Sequence, residues 1–242
     1  MNMELNLFHM YPEQLNLYGD TGNILCLKNR CEKRGIKVNL YKFSKEEKYD
    51  LSLGDIFFIG GGSDNSQEIV YNDFLNYKDS FKQIIEENKV LLAVCGGYQL
   101  LGKEYINKNG DSLPGLNIFD YTTVHRQNRI INNIILETTL DITPKTIVGF
   151  ENHGGRTYSN YTPLGNVLVG TGNNDTDGVE GVVYKNYIGT YLHGPILPKN
   201  PHVADYLILK ALQNKYEVES LEKLDDTIEY LAHEKFLKLY NK

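Results

Sequence analysis

The chain has 242 residues, 41% hydrophobic and 23% charged, which suits one large α/β domain or two small ones with a real core. Its formal charge is −6 and it has no long Lys/Arg run, which excludes a surface built to follow a phosphate backbone, so no nucleic-acid partner is expected. No basic segment followed by an apolar one opens the chain, and the longest apolar run, Val90 to Cys95, is far too short to span a bilayer. Cys26, Cys31 and Cys95 form no CxxC pair, so neither a zinc site nor a disulfide framework is expected, and the reducing cytoplasm is the expected location.

In chain order, "ELNLFHMY" alternates as a strand. "YGDTGNILCLKNRCEKRG" follows as a helix, with Asp20 or Thr21 as N-cap and Gly35 as the stop. "IKVNLYKF" is a second strand, and "DIFFIGGG" a short apolar strand ending in three glycines. Asp64 to Lys89 predicts one helix, with Ile69, Val70, Phe74, Phe81, Ile84 and Ile85 as its buried stripe. "VLLAVC" is the next strand. This rhythm predicts a flavodoxin-like open, mostly parallel sheet with helices on both faces. Past Gly110 the pattern changes to short strands: "RIINNIILET", "TIVGF", "VLVGTG" and the hairpin-like "GVVYKNYIGTYLHG". Two C-terminal helices are expected, Pro201 to Tyr216 and Leu224 to Tyr240.

Parallel sheets of this type bind ligands at the C-terminal ends of their strands, where Cys95 falls. The run Ala93-Val94-Cys95-Gly96-Gly97 has the small residues that a sharp strand-to-helix turn needs on either side of a nucleophile. A helix start also favours the thiolate. A buried structural cysteine is the alternative reading; Cys26 and Cys31, in a helical pattern with no turn glycine beside them, are expected to be inert. A thiol that attacks a carbonyl needs a base and oxyanion donors. His193, after an apolar strand and before Gly194-Pro195, is the first candidate base, and His153 in "ENHGG" is the second. His9, His125, His202 and His233 are expected on the surface or in capping roles. The Gly96 amide and one from Gly60-Gly61-Gly62 are the candidate oxyanion donors.

Two decoys lie in the sequence. "GGYQLLGKE" nearly fits a phosphate loop, but Glu104 replaces the Mg²⁺-binding hydroxyl and Leu100-Leu101 look like helix core; Lys103 therefore has no nucleotide to hold. "NNDTDG" starts like a calcium loop, but the closing glutamate is absent, and it is read as a turn.

"AVCGGYQLLG" resembles the nucleophile motif C-x-G-x-Q of class I (triad-type) glutamine amidotransferases, and "GTYLHGP" resembles their catalytic histidine segment. The likeness extends through "FFIGGGSD", "HRQNRIINNI" and "GFENHGGRTY". It is closer to the cobyric acid synthase-like branch, and within that to the free-standing glutaminase subunits of lipid II isoglutaminyl synthase. "MYPEQLNLYGDTGN" and "YLHGPILPKNP" are the most specific parts of that likeness. The resemblance implies a single amidotransferase domain over 1–242, with Cys95 as nucleophile and His193 as base. It makes Arg129 a substrate-contacting arginine, while Gln99, Gly61, Gly62 and Gly96 complete the expected substrate site. It also implies hydrolysis of L-glutamine through a γ-glutamyl thioester, with ammonia passed to a Mur-ligase-like catalytic subunit in a heterodimer. That partner would carry ATP and Mg²⁺, this chain no cofactor, and the acceptor would be the D-glutamate of lipid II.

The usual H-P-E acid is missing, because Gly194 and Pro195 follow His193. The orienting acid could be Asp20, Glu151 or a group on the partner. The competing functions are a cobyric acid-type glutaminase, a stand-alone cysteine hydrolase and a catalytically silent scaffold.

Overall fold

A computed structural model describes residues 3–240; residues 1–2 and 241–242, the ends of the expected domain, lie outside the described residues. The chain begins as expected, with β1 (Glu4–Met10), α1 (Thr21–Glu32), β2 (Lys37–Phe43) and β3 (Ile56–Ile59). α2 (Asp64–Phe74), α3 (Lys78–Glu86), β4 (Val90–Val94) and α4 (Gly96–Leu101) follow. The single helix expected over 64–89 is therefore two, separated by a tight turn at Leu75–Tyr77. The apolar stripe keeps its period across the break: Val70, Phe74, Phe81, Ile84 and Ile85 are all buried, so periodicity alone could not reveal it. Asn76, a weak helix former, sits at the centre of the turn, and Asn72 precedes it in the last turn of α2. Ile69, expected in the stripe, faces solvent.

Next come β5 (Glu104–Ile106), β6 (Ser112–Pro114), β7 (Tyr121–Thr138), β8 (Thr146–Ser159), β9 (Gly165–Val169), β10 (Val179–Glu180) and β11 (Val182–Tyr184). β12 (Tyr187–Thr190) and β13 (Leu192–His193) follow, then α5 (Ile196–Lys199), α6 (Pro201–Tyr216) and α7 (Thr227–Lys238).

The first sheet has the order β11-β12-β4-β3-β1-β2, parallel throughout except for the β11–β12 edge pair. Without β11 this is the flavodoxin-like order, in which ligands bind off the C-terminal strand ends. In β3, β4 and β12 every residue is buried, so side chains pointing either way are covered and both faces of the sheet are packed.

The region past Gly110 departs from the expected short strands. β7 has 18 residues and β8 has 14, paired antiparallel as the spine of a second, mixed sheet. The polar run "HRQNR", most of it outside the expected strand, lies within β7, at a break in the β7–β8 register between His125 and Ile130. An irregularity of this kind re-aims side chains, and here it projects Arg129. The chain crosses from the first sheet to the second between Thr190 and Leu192, because β12 pairs with β4 and β13 with β8.

Candidate active site

Cys95 stands between β4 and α4 at φ 48°, ψ −106°, a backbone conformation unfavourable to any residue with a Cβ. The strain is the elbow: it turns the thiol out of the sheet and into a cavity of about 350 Å³. The cavity wall also includes Gly62, Asp64, Gln99, Tyr105, His125 and Arg129. Gly96 must be glycine because a Cβ there would sit 2.7 Å from the Gly62 nitrogen. That close approach brings the Gly62 and Gly96 amides together beside the thiol, and neither has a hydrogen-bond partner among the described residues.

His193 is fully buried behind Cys95. Its Nδ1 lies 3.6 Å from Asp20 Oδ1, which leaves Nε2 for the thiol. Asp20 is itself held, because its Oδ2 accepts the Gly61 amide at 2.6 Å. A Cβ on Gly61 would sit 3.0 Å from His193, 3.2 Å from Asp20 and 3.4 Å from Cys95, so the three side chains converge on one glycine. Burial works against charge on His193, but the Cys95 thiol and the Asp20 carboxylate outweigh it and raise its pKa to about 10. Asp20 Oδ1 and both His193 nitrogens lack a formal hydrogen bond although buried, as in a proton-relay cluster whose contacts tighten only with substrate. The Tyr18 ring closes over His193 edge-on, at 5.0 Å between centroids.

Several expected roles change. Asp20 does not cap α1 with its side chain; Asn16 Oδ1 accepts from both the amide and the hydroxyl of Thr21, and Asp20 turns to the catalytic cluster. The Gly61 amide is committed to Asp20, so Gly62 rather than Gly61 is free to pair with Gly96 as an oxyanion donor. Glu151 points elsewhere, accepting the amides of Thr171 and Gly172 at 2.7 and 2.8 Å. His153, the second candidate base, lines the cavity but is stacked on Tyr191 at 3.7 Å and bonded through Nδ1 to the Gly155 carbonyl. Burial lowers its pKa and keeps it neutral.

His125 is not a surface residue; it lines the cavity and bonds the Tyr105 hydroxyl at 3.1 Å. His9, His202 and His233 are buried as well, His9 against Phe58 and the other two on the backbone carbonyls of Thr146 and Lys199. Burial pushes the Cys26 and Cys31 thiols up to about 12, which leaves them protonated. "GGYQLLGKE" is helix α4, a bend at Gly102 and Lys103, and the first residue of β5, and "NNDTDG" is a turn closed by Asn174 Oδ1.

Arg129 donates Nε and Nη2 to Asn152, which fixes the guanidinium while Nη1 has no partner among the described residues. Gln99 is buried, accepting from Gln67 and donating to the Tyr191 hydroxyl, both at 3.1 Å. Tyr18, Tyr105, His125 and Tyr191 were not legible as site residues. Only the segment "NLYGDTGN", singled out as specific to the resemblance, carried a signal for Tyr18 and Asp20. The assembled groups can activate a thiol, stabilise an oxyanion and hold a carboxylate in the same cavity.

Comparisons with known proteins converge on this chemistry. Residues 6–201 match the CobB/CobQ-like glutamine amidotransferase domain. The chain is 45% identical over 99% of its length to the lipid II isoglutaminyl synthase (glutamine-hydrolyzing) subunit GatD of Staphylococcus aureus, covering 97% of that protein. It is 41% identical over 88% of its length to the GatD subunit of Streptococcus pneumoniae, covering 82%. In fold it is similar to a glutamine amidotransferase from Thermotoga maritima, with TM-score 0.54 and 15% identity over 99% of this chain and 93% of that one.

Proposed function

The chain belongs to the CobB/CobQ-like glutamine amidotransferase family, and from that membership we propose that it is the glutaminase subunit of a lipid II isoglutaminyl synthase. The observation that carries the chemistry is the convergence of Cys95, His193 and Asp20 on Gly61 beneath an open cavity. His193 Nε2 takes the Cys95 proton while Asp20 steadies the imidazolium through Nδ1. The thiolate attacks the side-chain amide carbon of glutamine, and the oxyanion meets the Gly62 and Gly96 amides. His193 then returns the proton to the departing nitrogen, releasing ammonia and leaving a γ-glutamyl thioester. Water, deprotonated by His193, cleaves that ester to glutamate and regenerates the thiol. Arg129 pairs with the α-carboxylate of glutamine through its unpartnered Nη1, and Gln99 forms part of the pocket floor.

The partner is a Mur-ligase-like subunit in a heterodimer, which supplies ATP and Mg²⁺ and uses the ammonia to amidate the D-glutamate of lipid II. The names and high identity of the two GatD relatives support this acceptor over a corrin. No helix among the described residues is long and apolar enough to cross a membrane, and a free nucleophilic thiol suits the cytoplasm. The test is ammonia release from L-glutamine by the purified chain, with its partner present, against Cys95→Ala. Release that is lost in the variant supports the reading. Release unaffected by Cys95→Ala, or no preference for glutamine over asparagine, overturns it.

A further inference from the structure

Glu180 is a buried carboxyl that the mechanism above does not use. It is 0% exposed, and its two oxygens reach one place: Oε1 accepts the Tyr191 amide at 2.6 Å, and Oε2 accepts the Thr190 hydroxyl at 3.0 Å. The same hydroxyl accepts the Leu192 amide at 3.1 Å. These three residues are the crossover from β12 to β13, where the chain leaves the nucleophile's sheet two residues before His193. The Thr190 carbonyl also accepts the Cys95 amide at 2.8 Å, so the crossover touches the elbow. Glu180 is anchored in turn, because Asn173 bonds both the amide and the carbonyl of Gly181 at 3.0 Å. A regular strand would have satisfied these amides through a neighbour; between two sheets there is none, and the carboxyl takes that place.

We propose that Glu180 is a positioning residue that clamps the β12–β13 crossover and so holds His193 against Cys95. The proposal rests on the glutaminase reading of the Cys95–His193 site. The clamp also fixes Tyr191, whose hydroxyl bonds Gln99 and whose ring stacks on His153, so it joins the base to the pocket floor. Burial pushes the Glu180 carboxyl up to about 8, so at neutral pH the uncharged form prevails. With that proton on Oε2 the bond to the Thr190 hydroxyl reverses, and glutamine is the fitting isostere, accepting from the Tyr191 amide and donating to the Thr190 hydroxyl.

The experiment compares Glu180→Ala, Glu180→Gln and Thr190→Val in the full chain with its partner present. Displacing a base by a fraction of an ångström in the alanine variant should lower kcat about 10–100-fold, with KM for glutamine within about twofold. Alkylation of Cys95 by iodoacetamide at pH 7 should slow in parallel, because the imidazolium that stabilises the thiolate is displaced. Glu180→Gln should keep at least about a third of wild-type kcat, and Thr190→Val should fall between the two. Unchanged kcat and alkylation in Glu180→Ala overturn the proposal, as does a KM that rises in step with the loss. A glutamine variant as impaired as alanine yet melting at the wild-type temperature overturns it too. If Glu180→Ala does not fold, Thr190→Val decides: lowered kcat with constant KM supports the clamp, and unchanged kcat removes it. A wild-type chain without glutaminase activity would refute the reading of the site, while the alkylation rate would still report on the clamp.

Discussion

Asp20 lies 173 positions before His193 in the chain and 3.6 Å from its Nδ1, and we propose that it serves in place of the acid missing after the histidine. Asn in its place could still accept the Gly61 amide, but its amide group would face His193 Nδ1 and favour the wrong tautomer. Asp20→Asn should therefore lower kcat about 10²–10⁴-fold with little change in KM, read by steady-state glutaminase assays. Arg129→Ala should do the reverse. It loses a charge-assisted contact to the carboxylate and raises KM, with kcat preserved at saturation. The raised pKa of His193 has a sign that can be checked. Its folded value, about 10, lies above the ordinary 6.5, so the stability it contributes is fully present below 6.5 and is lost as pH rises through 10. The melting temperature of wild type minus that of His193→Gln should shrink across that window. Cys95→Ala removes the largest influence raising that value, so the His193 pKa, followed by NMR, should fall.

At the level of elements, function is concentrated where regular structure is interrupted: the elbow after β4, the register break in β7, and the crossover after β12. The elbow stores strain at Cys95, whose φ of 48° and ψ of −106° burden any residue with a Cβ. Replacing Cys95 by Ala keeps the strain; Gly releases about 1–3 kcal/mol of it and returns about 0.5–1 kcal/mol in unfolded-chain entropy. Both variants are inactive, so Cys95→Gly should unfold at a higher urea midpoint than Cys95→Ala. An equal or lower midpoint would mean that the surrounding backbone relaxes when the thiol is removed. In β7, four residues lie between the paired positions His125 and Ile130, opposite the single Gly154 of β8. The excess puts Arg129 on the cavity side of an otherwise regular ladder.

Across the whole molecule, the C-terminal helices are tied to the first by a compact ion network. Arg30, 6% exposed, makes paired hydrogen bonds to Asp205 on α6 and to Asp226 just before α7, all between 2.6 and 2.8 Å. Arg34 adds two more to Asp205, so two guanidiniums balance two carboxylates. Truncating Arg30 strands Asp226 in a poorly solvated pocket and leaves Asp205 to Arg34 alone. Arg30→Ala should therefore cost about 3–5 kcal/mol in chemical denaturation while glutaminase activity well below the melting temperature is kept. A loss under about 1 kcal/mol would show that water reaches the carboxylates and that the network is a surface feature. α1 begins at the residue after Asp20, so the network also steadies the helix that follows it.

The sequence by itself determined the parallel sheet and the elbow, and it named Cys95 and His193 as the candidate pair that the fold brings together. Those features are local: alternation or a run of apolar residues makes β1 to β4, and small residues beside a thiol make a turn, whatever lies elsewhere. It could not rank Asp20 above Glu151 as a neighbour of His193, because only the fold puts Asp20 3.6 Å from that ring and turns Glu151 to the Thr171 and Gly172 amides. Nor could it tell that the Gly61 amide is spent on Asp20, that His125 lines the cavity, or that "HRQNR" lies within a strand. Each of these depends on contacts between segments tens to hundreds of residues apart, and a polar residue carries no mark in sequence of the partner that burial will force on it.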